Sequence, residues 1–257
     1  MSAPGMPAGR RVALVTGASR GIGQATARQL LQKGHCVVAL DRSAIDPASI
    51  LDGAPAERLM TVALDVTDTA GLATLQAEVA RRWGPVQILV NNAGVSPKKA
   101  NGASAGILEI DPDEWDFVLR VNLTAVLRLC QIFLPGMQGE GWGRIVNISS
   151  LAGRTKSLVA GGSYMAAKAG ILGLTRAIAS EMGPSGITAN AVAPGRILTE
   201  MAKQAGPEVN RRYAEQIPVR RLGTIDEVAA AILFLASEEA GFINGAVLDI
   251  NGGFYMP

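Results

Sequence analysis

The chain has one histidine, two cysteines and no block of like charge beyond short pairs such as Arg81-Arg82, Arg211-Arg212 and Arg220-Arg221. With a formal net charge of +2, it offers no electrostatic footprint for a nucleic acid, and none is expected as a partner. His35 is the single imidazole, so a conventional Ser-His nucleophilic site would have to use it. GxSxG does not occur either, which argues against a hydrolase. Cys36 and Cys130 both sit in apolar runs, without a CxxC or Cys/His neighbour, so they read as buried thiols and no metal site is expected. The Ala/Pro/Gly-rich first ten residues lack the apolar core of a signal peptide, and no run of 18 apolar residues follows. The reading is a soluble cytoplasmic protein with no membrane partner and a flexible N-terminal tail over residues 1–10.

At 257 residues and 48% hydrophobic content the chain can bury one large core, and residues 11–257 are expected to form a single α/β domain. Apolar runs of strand type at 11–16, 36–40, 59–64, 86–90, before Ser149, at 187–192 and at 246–250 alternate with helical patterns. Strand followed by crossover helix implies a parallel sheet with helices on both faces. No repeat period or low-complexity linker marks a second domain. Asp111-Pro112-Asp113-Glu114 carries a capping-box pattern for a helix running on to Leu134, and Thr224-Ile-Asp-Glu227 carries another.

The first strand runs directly into Gly17-Ala-Ser-Arg-Gly21-Ile-Gly23, and a helix with Ile22, Ala25, Thr26, Leu30 and Leu31 on one face opens behind it. Glycines at such a turn let the backbone approach a pyrophosphate while the helix N-terminus faces the anion. No Lys-Ser/Thr pair follows them, which argues against a nucleoside triphosphatase. Asp41, at the end of the second strand, is either a turn former or a carboxylate that accepts hydrogen bonds from a ribose.

Tyr164 and Lys168 lie four residues apart among small and apolar side chains, which is one helical turn and places phenol and ammonium on one face. A cation in reach of a phenol favours the phenolate, so Lys168 is expected to lower the Tyr164 pKa. The bland alternative is a pair of solvated neighbours. Fourteen residues upstream of Tyr164, Val-Asn-Ile-Ser-Ser reads as a buried strand end that delivers a hydroxyl to the phenol, from Ser150 or from adjacent Ser149. Asn122, inside an apolar stretch, is either a satisfied buried amide or part of the same constellation.

The order Asn122, Ser150, Tyr164, Lys168, the turn Thr16 to Gly23 read as TGxxxGxG, and Asn91-Asn92-Ala93-Gly94 together resemble the short-chain dehydrogenases/reductases, over essentially the whole chain from Thr16 to Gly253. The resemblance implies a Rossmann-like, doubly wound, parallel seven-stranded sheet. It implies Tyr164 as acid/base, Ser150 as holder of the substrate oxygen, Lys168 as support for both phenol and ribose, and Asn122 as support for a water relay. Cofactor contacts are expected from Gly17, Ser19, Arg20, Gly21, Ile22, Gly23, Asp41, Asp65, Val66, Asn92, Ala93, Gly94, Tyr164, Lys168, Pro194, Gly195, Ile197 and Thr199. Asp65-Val66 would lie beside the adenine. The Arg196–Met201 segment would close on the nicotinamide, with Thr199 supplying a hydroxyl.

The resemblance implies an NAD(P)-dependent oxidoreductase interconverting a secondary alcohol and a ketone. NAD(H) is expected to be preferred because the Asp41 carboxylate repels a 2′-phosphate, although Arg20 and Arg42 keep NADP(H) open. A homotetramer is expected. The substrate is expected to be a small hydroxy or oxo compound; the runner-up is an acyl chain on a carrier protein, because much of the chain resembles the 3-oxoacyl-carrier-protein reductases. Those enzymes, by the resemblance, dock their acidic carrier through arginines where this chain has Gly141 and Ser185. A non-enzymatic dinucleotide-binding regulator is the remote alternative. The long 95–110 loop with Lys98 and Lys99, together with Arg196, favours an anionic or polyhydroxylated substrate, unless those lysines are merely solvated.

Overall fold

The computed structural model describes residues 9–100, 102–157, 159–199, 202 and 207–257. Most of the expected N-terminal tail, and Glu200 and Met201 of the segment expected to close on the nicotinamide, lie outside them, as do 203–206. Seven parallel strands form one sheet: β1 (Val12–Thr16), β2 (Cys36–Asp41), β3 (Leu59–Ala63), β4 (Ile88–Asn91), β5 (Gly143–Ile148), β6 (Ile187–Pro194) and β7 (Val247–Ile250). Their spatial order is β3-β2-β1-β4-β5-β6-β7, so the chain winds outward from β1 to one edge, then returns to β4 and winds to the other. The reversal between β1 and β4 opens the crevice beyond the strand carboxyl ends where ligands bind in sheets of this kind.

The strands read as continuous apolar runs because both faces are covered. Val12 and Leu14 point to one layer, packed with Leu72, Leu75 and Val79 of α3 (Thr69–Trp83), Leu129 and Phe133 of α5 (Ala125–Glu140), and Ile171 and Ile178 of α6 (Gly162–Met182). Ala13 and Val15 point to the other, packed with Leu30 and Leu31 of α1 (Gly21–Gln32), Ile50 of the short α2 (Ala48–Leu51), and Val228 and Ile232 of α8 (Ile225–Leu235). A further helix, α7 (Pro207–Gln216), is polar and precedes α8. The expected doubly wound seven-stranded sheet is thus the architecture observed.

Three local expectations change. The helix expected from Asp111 through Asn122 is not one regular α-helix: α4 (Pro112–Leu119) passes into a π turn over Arg120–Thr124 before α5. The expected capping box at Asp111 is half made. Asp111 accepts from the Asp113 amide at 2.8 Å, but Glu114 accepts instead from Ser163 Oγ at 3.3 Å, because α6 brings that hydroxyl within reach. Finally, the helical run Pro112–Glu140 is long and apolar enough to cross a membrane by length and composition. Its Val118, Val126, Leu129, Phe133 and Met137 are buried within the protein, so the apolar content belongs to the core. The box at Thr224 forms in full, with Glu227 N donating to Thr224 Oγ at 3.2 Å and Thr224 N to Glu227 Oε2 at 2.8 Å.

Candidate active site

β5 ends at Ile148, and its last turn delivers two serines with different fates. Ser149 is buried and its hydroxyl donates to the backbone carbonyl of Lys168 at 2.7 Å. Ser150 caps the short turn Leu151–Gly153 by accepting from the Ala152 amide at 3.1 Å, and its hydroxyl is near enough to the Tyr164 phenol to lower its pKa. A Cβ on Gly153 would stand 2.6 Å from the backbone carbon of Lys168, so this turn lies directly on the α6 backbone. Beyond it, Arg154 donates in bidentate fashion to Asp249 of β7 (3.2 and 2.9 Å), with its guanidinium carbon 5.5 Å from the Tyr255 ring centroid. The Ser150 turn is therefore tied to the last strand, a link that residues 95 positions apart give no sequence signal for.

Tyr164 and Lys168 do share a face of α6. The Lys168 ammonium is buried, donates to Ile148 O at 2.7 Å, and lies 5.7 Å from the Tyr164 ring centroid. Burial depresses the Lys168 pKa to about 8. Burial also raises the Tyr164 phenol, and the Ser150 hydroxyl opposes that only partly. The lowering expected from Lys168 is thus absent from the chain alone: burial raises the phenol, and Ser150 rather than Lys168 opposes it.

Asn122 sits in the π turn, fully buried, with Oδ1 accepting from Val95 N and Nδ2 donating to Val95 O, both at 2.8 Å. It is a satisfied amide, and it fixes the start of the loop that follows Gly94. A Cβ on Gly94 would lie 2.8 Å from Asn122 Oδ1 and 3.5 Å from Lys168 Nζ, so this glycine keeps the backbone open directly above both groups.

The glycine turn is built from inside. Thr16 Oγ accepts from the amides of Asn92 and Ala93 at 3.0 Å, and Asn92 Nδ2 donates to the carbonyls of Thr16 and Gly17 at 2.9 and 3.1 Å. Gly23 is obligatory here, since a Cβ would come within 2.2 Å of Gly17 O. Gly21 has φ +58 and nothing within 4 Å of where a Cβ would be, and the α1 N-terminus has no side-chain cap. Open space before an uncapped helix N-terminus fits a pyrophosphate.

Asp41 accepts from Ser19 Oγ at 2.8 Å and from the Ser43 amide at 3.0 Å, while Arg20 and Arg42 are exposed. Asp65 accepts from the Thr67 hydroxyl and amide at 2.7 and 2.8 Å, which hold its carboxyl below the usual range, and Val66 beside it is buried. Pro194 and Gly195 end β6, Ile197 bridges to Gly223, and Thr199 Oγ accepts from Ala202 N at 3.2 Å. All these residues stand at the carboxyl ends of β1 to β6. The side chains of Asn92, Ser19 and Asp65 are engaged with the protein itself, so they shape the loops as well as face the crevice.

A glycine turn at the β1 to β4 switch, an acidic residue ending β2, and a phenol-hydroxyl pair over a buried ammonium define a dinucleotide-dependent oxidoreductase. Residues 17–255 match the family model described as "Enoyl-(Acyl carrier protein) reductase". The chain is 38% identical over 248 residues to the 3-oxoacyl-[acyl-carrier-protein] reductase of Salmonella typhimurium, covering 96% of this chain and 98% of that one. Its fold superposes with a TM-score of 0.84 on a 3-oxoacyl-[acyl-carrier protein] reductase from Brucella melitensis with bound NAD, at 38% identity over 96% and 92% of the two chains. A putative gluconate dehydrogenase from Agrobacterium tumefaciens gives a TM-score of 0.84 at 31% identity, covering 95% of each chain. The chain belongs to the short-chain dehydrogenase/reductase family, and is an NAD(P)-dependent oxidoreductase acting on CH–OH or keto groups.

Proposed function

We propose that this enzyme interconverts a secondary alcohol and a ketone on a small, polar, freely diffusing substrate, with NAD(H) as the preferred cofactor. The observation that carries the chemistry is the Ser150 hydroxyl acting on the Tyr164 phenol beside the buried Lys168 ammonium. When bound, the nicotinamide dinucleotide accepts or supplies the hydride. Ser150 and Tyr164 hold the substrate oxygen between their hydroxyls. In reduction the phenol, kept protonated by burial, gives its proton to that oxygen; in oxidation the phenol must first release its proton to solvent, and the phenolate then receives the proton the alcohol loses. Lys168 has further N–H groups beyond the one spent on Ile148 O, and would offer them to a ribose hydroxyl of the cofactor and to a water. The crevice groups from Gly17 to Gly23, with Asp41, Asp65, Val66, Ala93, Gly94, Pro194, Gly195, Ile197 and Thr199, would hold the rest of the cofactor.

A second reading has support in the names of the relatives: reduction of a 3-oxoacyl group on a carrier protein. Against it, Gly141 and Ser185 offer no cation for an acidic carrier, and the Asp41 carboxylate ends β2 where a 2′-phosphate would have to approach. We also read residues 11–257 as one domain of a cytoplasmic homotetramer. The test is turnover of secondary alcohols, sugar acids and carrier-bound 3-oxoacyl chains by the parent and by Tyr164→Phe. Small substrates should be turned over, and the variant should lose about two to four orders of magnitude in rate while still binding cofactor. Efficient reduction of the carrier-bound chain with every small ketone inert overturns the substrate reading, and a variant within a few-fold of the parent overturns the role of Tyr164.

A further inference from the structure

Strands β4, β5 and β6 are neighbours, and β5 carries the serine turn between the other two. The loop leaving β4 carries Lys98 and the segment leaving β6 carries Arg196, so the two cations follow the strands on either side of the one that ends in the Ser150 turn. Lys98 is anchored. Its ammonium donates to Ser104 Oγ at 2.8 Å and to the carbonyl of Val159, five residues before Tyr164, and Ser104 Oγ donates to the same carbonyl at 2.9 Å. Adjacent Lys99 turns away and pairs with Glu109 at 2.7 Å. Arg196 is anchored as firmly: Nε and Nη2 donate to Asn210 Oδ1 at 3.3 and 3.0 Å, and its guanidinium carbon lies 5.0 Å from the Tyr213 ring centroid.

Neither cation has a carboxylate partner among the described residues, and in this they resemble other cations such as Arg20 and Arg42; what sets them apart is that each is held in place by neutral groups. The two also sense each other, since burial first and the Arg196 charge second depress the Lys98 ammonium. Holding two like charges close with only neutral partners is unfavourable for the free protein, and an anion between them removes the repulsion. The donor count leaves room for one. An ammonium has three N–H groups, of which Ser104 and Val159 take two; a guanidinium has five, of which Asn210 takes two.

We infer that Lys98 and Arg196 form a carboxylate-binding subsite, so that the substrate is a small hydroxy or oxo acid whose acidic group lies across the mouth from its reacting carbon. This rests on the small-substrate reading above and narrows it. Charge-assisted hydrogen bonds of this kind are worth about one to two orders of magnitude in affinity.

The test compares hydroxy acids with their methyl esters, using NAD+ and the full-length enzyme. The acids should exceed the esters at least tenfold in kcat/KM, and Lys98→Met and Arg196→Gln should each reduce that ratio toward one, while Lys99→Met leaves it unchanged. Equal rates for acids and esters in the parent, or an undiminished ratio in both variants, would overturn the subsite. Esters turned over as well as acids leave the small-substrate reading standing, whereas small compounds all inert beside an active carrier-bound chain sink that reading itself. A binding measurement independent of turnover completes the test. Calorimetric titration of malonate into the NADH complex should show binding that weakens at least tenfold in Arg196→Gln, and absence of malonate binding to the parent also overturns the proposal.

Discussion

Asp41 and Lys168 each carry a prediction that depends on one side chain. Asp41→Asn keeps a hydrogen-bonding oxygen for Ser19 but removes the charge that repels a 2′-phosphate, while Arg20 and Arg42 stay nearby to attract it. The kcat/KM ratio of NADP(H) to NAD(H) should rise about ten- to a hundredfold, and a parent that already favours NADP(H) tenfold contradicts the assignment. Lys168 has a folded-state pKa near 8, below its ordinary 10.5. A lysine depressed in this way costs stability wherever it is charged in both states, so the cost is full below pH 8 and is relieved as the pH climbs toward the unfolded value. Lys168→Met should therefore stabilise the cofactor-free protein at pH 7 by roughly 2–3 kcal/mol, less whatever the lost bond to Ile148 O contributes, and by less at pH 10. Thermal melts at both pH values check it, and a variant that melts lower at pH 7 refutes it. These two residues were legible in the sequence because their meaning is local: a carboxylate ending a strand, and a lysine one helical turn from a tyrosine. The phenol's raised pKa was not, since depth of burial is a property of the whole core.

Elements were legible to the extent that their signals lie within a few residues. The Thr224-to-Glu227 box is such a signal. Thr224→Ala removes the hydroxyl that accepts from Glu227 N and should cost about 1 kcal/mol in urea denaturation, with kcat unchanged because α8 packs on the sheet face opposite α6. A loss of kcat beyond twofold, with the fold intact, would show that α8 reaches the site. The same pattern at Asp111 misled because its Glu114 found a better-placed donor on α6, 49 residues away. The π turn was hidden for a related reason. Its one extra residue falls in a stretch apolar on nearly every side, and it shows only where Asn122 meets the backbone of Val95. Arg154 with Asp249 and Lys98 with Val159 are likewise contacts made by topology rather than by spacing.

For the whole molecule the open question is what covers the free edge of the sheet. Among the described residues β7 pairs with β6 alone and carries Leu248 at 39% exposure, and the same C-terminal part of the chain has Phe234 at 47% and a fully exposed Phe242. An edge strand with outward apolar side chains is a template for pairing unless something shields it, and a second copy related by a twofold axis shields both edges at once. In a tetramer with two distinct twofold contacts, disrupting one leaves dimers held by the other. Leu248→Lys tests this specifically, because an isologous contact near its axis brings each new ammonium close to its own copy, so the repulsion is paid for twice in every tetramer. Light scattering at micromolar concentration should give a tetramer for the parent and a dimer for the variant, with unchanged circular dichroism. A monomeric parent, or a variant that stays tetrameric, means that this edge faces solvent and that the exposed phenylalanines need another explanation.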